Sequence, residues 1–230
     1  MTEQLRACAI VHSPDEPAAF LGVVGDYLAA HAWLEVVVAG DPLPDPHTVD
    51  VVVAMGSERA ADDDTIPWLA GELAYLREAA AVTSVLGICF GGQLLARSLG
   101  GAVGRASRPE IGWATIETDV PDLIAPGPWY EHHHDAFTVP PGAVELARTP
   151  VTSQAFRWGR SLGLQFHPEI DTRVYAAWNA TSGDGGRAEL EAEGIDQDEL
   201  VAGIGRRQAA NRERAVTLLD RYWSEVRPQL

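Results

Sequence analysis

Short apolar segments that alternate with helical segments constrain the fold of this chain more than any other feature of its sequence. Continuous apolar runs cover residues 5–11, 34–38, 49–54 and 84–88. Strands that are apolar on both faces are typical of a parallel sheet whose two sides are covered by helices. The sequence therefore predicts an α/β fold with a doubly wound, mostly parallel central sheet.

The intervening segments carry the start and stop signals of helices. Helices are predicted at residues 17–31, from near Thr65 to about residue 81, and from Cys89 to residue 99. Ligands of such sheets bind beyond the carboxyl ends of the strands. Gly56 and Cys89 both follow strand ends, so this topology can bring them together.

The pattern changes after Gly101. Short β runs with many turn signals follow, at residues 111–118, 136–139, 144–148, 154–158 and 162–166. They predict antiparallel hairpins that extend the sheet, with Gly159 and Arg160 forming one hairpin turn.

The remainder of the chain is predicted to be helical. Asp171 caps a helix to about residue 180, residues 181–186 form a flexible loop, and two helices follow, the last near 205–226. We expect one domain over residues 1–230, with a catalytic core at about 5–180 and a C-terminal helical appendix at about 187–227. The C-terminal helices are expected to serve packing.

Charge and cysteine content exclude several classes of function. Acidic residues outnumber basic ones by 33 to 17, for a net charge of −16, and no basic cluster suits nucleic acid or an anionic membrane. Cys8 lies within an apolar strand, so we expect a buried thiol, no disulfide and a reducing compartment. No apolar run is long enough for a signal peptide or a transmembrane helix, and the expected location is the cytoplasm.

Cys89 stands between an apolar strand and the start of a helix, with Gly87 and Gly91 on either side. This is the arrangement of a nucleophile elbow, a sharp turn in which small neighbours let the backbone segments approach. The N–H groups at the start of the helix favour a thiolate there. The alternative is a small buried cysteine beside glycines that only turn the chain.

A base for this thiol is predicted in the segment around His167. His167 ends an apolar strand, Pro168 stiffens the following turn, and Glu169 can hold one ring nitrogen. Cysteine, histidine and carboxylate together form an acyl-transfer triad. A His-Pro-Glu tripeptide alone indicates no more than a surface turn, and it gains meaning from the cysteine elbow.

Both motifs resemble those of the class I glutamine amidotransferases. Residues 87–93 fit the family pattern G-x-C-x-G-x-Q, and residues 165–169 fit Q-x-H-P-E. Residues 108–113 and 129–137 resemble its free-standing, GMP-synthase-like glutaminase domains. The resemblance implies a flavodoxin-like fold and a catalytic triad of Cys89, His167 and Glu169.

The resemblance also implies the reaction. Cys89 attacks the amide carbon of glutamine or of another γ-glutamyl amide, and a γ-glutamyl thioester forms. His167, oriented by Glu169, serves as acid and base, and the N–H groups of Gly56 and Phe90 hold the oxyanion. Gln93 is implied to contact the bound glutamine, and no cofactor is expected.

Two segments depart from the family pattern. Met55-Gly56-Ser57 stands in place of Gly-Gly-Pro, and a shift of one residue would make Ser57 the oxyanion donor. In residues 132–135, His133 takes the place of the family histidine, His134 that of a glycine, and Asp135 that of the aspartate. Backbone groups of this segment hold the ends of the substrate in the family, so His134 is expected to reshape the pocket.

Other polar residues leave alternatives open. Glu110 either contacts the substrate amine or supports the fold. His132 and His134 would share one face of an extended segment, but no third metal ligand is evident beyond Glu131 or Asp135, so we expect no metal. The remaining histidines, including His12, are expected to be ordinary surface or strand-end residues.

The expected ligand is glutamine or a small γ-glutamyl compound, and three functional hypotheses remain. The chain is a glutaminase that feeds ammonia to a separate synthase subunit, or a self-sufficient γ-glutamyl hydrolase or peptidase. The second hypothesis is another cysteine hydrolase of related fold whose base lies elsewhere. Third, it is a non-catalytic regulatory module on the same scaffold.

Overall fold

The structure of the protein is a computed structural model that describes residues 4–226. Two short 3₁₀ segments, Pro17–Leu21 and Pro46–Thr48, accompany the regular elements. The strands are β1 (Leu5–Val11), β2 (Ala32–Val38), β3 (Val51–Ala54), β4 (Ser84–Ile88), β5 (Val103–Ala114), β6 (Glu117–Thr118), β7 (Trp129–Phe137), β8 (Val144–Arg148), β9 (Ser153–Trp158) and β10 (Ser161–Leu164). The helices are α1 (Gly22–His31), α2 (Leu69–Val82), α3 (Phe90–Ser98), α4 (Thr172–Ala192) and α5 (Gln197–Val226).

The main sheet has the strand order β2-β1-β3-β4-β10-β9-β8-β6. The first five strands are parallel to one another, and β9, β8 and β6 extend the sheet in antiparallel pairing. This confirms the predicted α/β class, with its mostly parallel sheet and antiparallel extension. The turn at Gly159 and Arg160 joins β9 to β10, as predicted, and Gly159 has a φ of 56°.

The two faces of the sheet are covered by different helices, because alternate strand residues point to opposite sides. Side chains of α1 and α5 pack on one face, where Val53 and Leu86 belong to the same apolar cluster. Helices α2 and α3 pack on the other face with Val52 and Val85. The parallel strands are therefore buried on both faces, which explains their continuous apolar runs.

Strands β5 and β7 differ from the prediction for this region. They do not extend the main sheet but pair with each other in a separate two-stranded antiparallel ribbon. The sequence obscured β7 because its middle, residues 131–135, consists of charged residues and histidines rather than an apolar alternation. Ion pairs accompany these charges: His133 pairs with Glu110 and Glu131, His134 with Glu189, and Asp135 with Arg105.

Two helices begin later than predicted. The 3₁₀ segment is followed by Gly22, whose φ of 45° interrupts the helix expected to run from Pro17. Thr65 does not cap α2, because its N–H and hydroxyl both donate to the Asp63 carboxylate in a preceding turn. Helix α2 starts at Leu69 instead.

The C-terminal region is more continuous than predicted. The expected loop at residues 181–186 lies within α4, where only Gly183 departs from helical geometry, with φ 54° and ψ −140°. The last helix begins at Gln197 and runs for 30 residues. The Asp171 cap is confirmed, since its side chain accepts the N–H groups of Arg173 and Val174.

Candidate active site

Cys89 occupies a strained turn between β4 and α3. Its φ of 50° and ψ of −109° are unusual for a residue with a side chain, and such strain is typical of functional turns. A Cβ at Gly91 would lie 2.0 Å from the carbonyl oxygen of Ala54, and one at Gly87 would lie 2.5 Å from that of Gly91. The flanking glycines therefore permit close contact between backbones, which is more than turning the chain.

His167 and Glu169 form a buried pair at the carboxyl end of β10. Nδ1 of His167 lies 2.7 Å from Oε1 of Glu169, and both side chains are almost fully buried. Nε2 of His167 has no hydrogen-bond partner within residues 4–226. Burial by itself would lower the pKa of His167, but the Glu169 carboxylate and the Cys89 sulfur raise the pKa well above its usual range.

Gly56 and Phe90 both lie beside Cys89, the predicted nucleophile. A Cβ on Gly56 would lie 3.3 Å from Cε1 of His167 and 3.9 Å from Cβ of Cys89, so Gly56 lies close to both side chains. Phe90 is the first residue of α3, where an N–H has no acceptor within the helix. The two residues named as oxyanion donors thus adjoin Cys89.

His12 is a residue whose role the sequence did not reveal. It follows the end of β1, as expected, but its side chain is buried rather than on the surface. Its Nδ1 lies 3.1 Å from the carbonyl oxygen of Gly56, and its Nε2 lies 3.1 Å from Oε1 of Glu72. His12 therefore supports the Gly56 loop, and its position at the end of a parallel strand was the available signal.

His133, Glu110 and Glu131 form a buried ion-pair cluster. Nε2 of His133 lies 3.4 Å from carboxylate oxygens of both Glu110 and Glu131, on the facing strands β5 and β7. Burial alone would lower the pKa of His133, but the two carboxylates raise it to about 9. Glu110 also accepts hydrogen bonds from Thr149 and Gln154, which is a supporting arrangement within the fold.

The backbone of β7 passes the nucleophile. The carbonyl oxygen of His132 lies 4.0 Å from Sγ of Cys89. Burial and the neighbouring histidines lower the pKa of His132 to about 3, so its ring is neutral. The Asp135 carbonyl accepts from Nε2 of Gln93, at 3.0 Å, and pairs with Nδ1 of His133, at 3.1 Å.

His134 contacts α4. Its Nδ1 lies 3.0 Å from Oε1 of Glu189, and both residues line the same cavity as Cys89. Trp178, also on α4, packs edge-on against His167 with ring centroids 4.8 Å apart. The helix that replaces the predicted loop therefore forms one wall of the site.

The cavity at Cys89 has a volume of about 440 Å³ and is lined by Gly56, Gln93, His167 and residues 132–135, among others. That volume suits a small molecule. Both signs of charge are present in its lining, with Arg59 and Arg105 opposite several carboxylates, of which Glu189 is one. Glu110 faces a different cavity, beside Glu131.

The described residues contain neither a cluster of metal-binding side chains nor a helix suited to crossing a membrane. Within residues 4–226, no group of three or more histidine, cysteine or acidic side chains has an arrangement that could hold a metal ion. Among the helices of the same residues, none has the length and apolar character that a membrane span requires. Cys8 and Cys89 are both free thiols.

Comparison with known proteins identifies the family. The model of the family described as glutamine amidotransferase class-I matches residues 50–177, which is more than half of the chain. The protein therefore belongs to the class I glutamine amidotransferase family, and the resemblance seen in its motifs is confirmed.

Two curated relatives show how much of each protein is shared. A glutamine-hydrolysing GMP synthase subunit from Ignicoccus hospitalis is 36% identical over 138 residues, covering 56% of this chain and 71% of its own length. The GMP synthase of Aeropyrum pernix is 45% identical over 100 residues, covering 40% of this chain and 19% of that enzyme. The match thus spans about a fifth of the full-length GMP synthase.

Solved structures resemble the whole fold. A glutamine amidotransferase from Thermotoga maritima superposes with a TM-score of 0.82 at 27% identity, covering 96% of this chain and 98% of its own. A glutamine amidotransferase from Methylobacillus flagellatus gives a TM-score of 0.82 at 26% identity, covering 100% of this chain and 98% of its own. The C-terminal helices therefore belong to the shared architecture.

Proposed function

We propose that this protein hydrolyses the side-chain amide of glutamine, or of another γ-glutamyl compound, through a thioester on Cys89. The observation that carries the proposal is the strained Cys89 turn beside the buried His167–Glu169 pair. A thiol held in this geometry next to a histidine with a carboxylate partner has the parts of an acyl-transfer site.

The reaction follows from these groups. The raised pKa of His167 favours an imidazolium beside a Cys89 thiolate, which attacks the amide carbon. The oxyanion that forms is held by the N–H groups of Gly56 and Phe90. His167 gives its proton to the departing ammonia or amine, and the thioester forms. His167 then takes a proton from water, whose attack releases the γ-glutamyl acid and frees the thiolate.

The substrate ends are assigned to the cavity around β7. A glutamyl group carries an ammonium and a carboxylate, and the cavity offers acidic and basic side chains that can receive both. We assign Gln93, His133, His134 and Asp135 to the binding and shaping of this pocket. Glu110 acts through His133, because its carboxylate is occupied by that ring and by two neighbouring side chains.

Two destinations for the released amine are distinguishable. The relative from Ignicoccus hospitalis, named as part of a GMP synthase, supports delivery of ammonia to a separate synthase. The pairing of His134 with Glu189 favours a self-sufficient γ-glutamyl hydrolase, because α4 of this same chain completes the wall of the cavity. The free thiols suit a reducing compartment, so we place the reaction in the cytoplasm.

Release of ammonia and glutamate by the isolated chain tests the reaction. We expect turnover of glutamine or a γ-glutamyl amide, its loss in Cys89→Ala, and its retention in Cys8→Ala, which alters the other cysteine. Turnover by the chain alone supports the self-sufficient hydrolase. Turnover that appears only with an added synthase protein supports ammonia delivery.

Labelling by the glutamine analogue diazo-oxo-norleucine tests the nucleophile separately. The label should attach to Cys89 in the parent chain and in Cys8→Ala. Absence of labelling, together with absence of turnover on every γ-glutamyl amide tried, would favour the non-catalytic module. Full activity in His167→Ala would place the base elsewhere and favour the other class of cysteine hydrolase.

A further inference from the structure

Gln165 is a fully buried polar residue that the proposed reaction does not use. It follows β10 and precedes His167 by two positions, and its backbone N–H donates to the carbonyl of Gln154 at 2.9 Å. Its side-chain Nε2 lies 3.7 Å from Sγ of Cys89. A buried amide beside a reactive sulfur acts on that sulfur only if its N–H arm, and not its oxygen, faces it.

The surrounding hydrogen bonds settle which arm of Gln165 faces Cys89. The carbonyl oxygen of Asp135 can only accept, so the Gln93 atom 3.0 Å away is the nitrogen Nε2. The same nitrogen lies 3.3 Å from Gln165, and the atom that it faces must be the acceptor Oε1. The remaining arm of Gln165, the NH₂ group, is therefore directed at Cys89.

The ion-pair cluster supports this direction from the far side. His133 is held as an imidazolium by Glu110 and Glu131, and its Nδ1 donates to the carbonyl of Asp135. The Asp135 carbonyl, which accepts from Gln93, thus also accepts from the His133 imidazolium, a group that can only donate. His133 and Gln93 therefore both donate to the Asp135 carbonyl, Gln93 also donates to Oε1 of Gln165, and the NH₂ group of Gln165 is left to face the sulfur.

We propose that Gln165 is a further catalytic residue, whose side-chain N–H donates to the Cys89 sulfur and stabilises its thiolate; this rests on Cys89 being the nucleophile of the proposed function. The carbonyl oxygen of His132 lies 4.0 Å from the same sulfur. Because that oxygen can only accept a hydrogen bond, it favours the protonated thiol, whereas the N–H group of Gln165 favours the thiolate. The proton that leaves Sγ goes to Nε2 of His167. Gln165 holds the sulfur in the attacking form without taking part in that transfer.

Alkylation by iodoacetamide tests the proposal without any substrate. In the full chain carrying Cys8→Ala, Cys89 is the sole thiol, because the sequence has 2 cysteines. We expect Gln165→Met to move the midpoint of the alkylation pH profile upward by about one unit, and to slow alkylation by about tenfold at pH values below that midpoint, as loss of a charge-assisted hydrogen bond requires. Gln165→Asn, which keeps a buried amide but shortens its reach, should act in the same direction.

A matched control is Gln208→Glu, an exposed glutamine on α5, which should leave the profile unchanged. An unchanged alkylation midpoint in the folded Gln165→Met or Gln165→Asn variant would overturn the proposal, even if its melting temperature fell. The role of Gln165 and the proposed function can be refuted independently of each other. If no ammonia is released from any γ-glutamyl amide, with or without an added synthase protein, but the midpoint shifts, the hydrolysis is refuted and the role of Gln165 is upheld. Intact hydrolysis with an unshifted midpoint gives the reverse result.

Discussion

Replacing Asn211 with leucine tests whether α5 holds in place the segment of His167, the proposed base. Asn211 is fully buried, and its Nδ2 donates to the carbonyl oxygens of Pro168 and Ile170, at 3.0 and 3.1 Å. These two carbonyls follow His167 and Glu169 respectively in the chain. One side chain on the last helix therefore fixes both sides of the buried carboxylate.

The cost of the substitution follows from the groups left unpaired. Leucine has similar bulk but no donor, so two buried carbonyls lose a partner, at about 1–3 kcal/mol each. Removing Oδ1 of Asn211, which has no partner within residues 4–226, returns about 1 kcal/mol of desolvation. We expect the free energy of unfolding to fall by about 1–5 kcal/mol. A displacement of the histidine approaching 1 Å would also lower kcat by about a hundredfold.

Urea unfolding and steady-state kinetics measure the two effects. The control is Gln208→Leu, which replaces a side-chain amide by leucine at an exposed position of α5. Because the hydrogen bond that Gln208 accepts from Thr172 is exposed to water, this variant should stay within about 0.5 kcal/mol of the parent. If Asn211→Leu unfolds at the urea concentration of the control and keeps its kcat, the reasoning that α5 positions the catalytic segment is refuted.

Three further predictions concern the turn, the ion-pair cluster and α4. Gly91→Ala, whose Cβ would lie 2.0 Å from a backbone oxygen, should destabilise by more than about 3 kcal/mol in urea unfolding, whereas Gly185→Ala, with open space, should stabilise by about 0.5–1 kcal/mol. The raised pKa of His133 contributes up to about 3 kcal/mol of stability, which is present below pH 6.5 and is lost as the pH rises to about 9. When the free energy of unfolding is measured against pH, Glu131→Gln should flatten this dependence. Glu189→Gln removes a half-exposed ion pair and should speed amide hydrogen exchange over residues 183–192 by no more than about fivefold.

Each of these has a contradicting result. Equal stability of the two glycine variants would show that the elbow has more room than the structure describes. Stability that is flat from pH 6.5 to 9 would mean that His133 is not held as an imidazolium in the folded protein. For α4, the control is Glu191→Gln, an exposed carboxylate of the same helix, and equal exchange in both variants would remove the role of the His134–Glu189 pair.

The parallel half of the fold was predictable because its signals are local. Strands β1, β3 and β4 are buried on both faces, so their residues must be apolar almost without interruption. The turn at Cys89 was predictable for a similar reason, since the glycines at 87 and 91 leave room for backbone oxygens. The pairing of His167 with Glu169 was within reach because the two residues are adjacent in sequence to a strand end.

The part of the fold that carries buried polar residues was not predictable from the local sequence pattern. Strand β7 carries Glu131, His133 and Asp135, and its charges have partners on the facing strand β5, where Glu110 pairs with His133 and Arg105 with Asp135. Glu110 in turn accepts hydrogen bonds from Thr149 and Gln154. A one-dimensional pattern cannot show that a charged side chain has a distant partner. The continuation of α4 beyond residue 180 was also missed, because the glycines at 183, 185 and 186 indicated a loop.

The sequence by itself determined the α/β class, the parallel strands and the position of the cysteine between strand and helix, because burial and steric crowding act on neighbouring residues. Tertiary structure alone decided what surrounds that cysteine. Asn211 reaches the catalytic segment from 41–43 residues away, and Gln165 obtains its orientation from Gln93, 72 residues earlier. Hydrogen-bond direction depends on which groups meet in space, and only the folded chain brings those groups together.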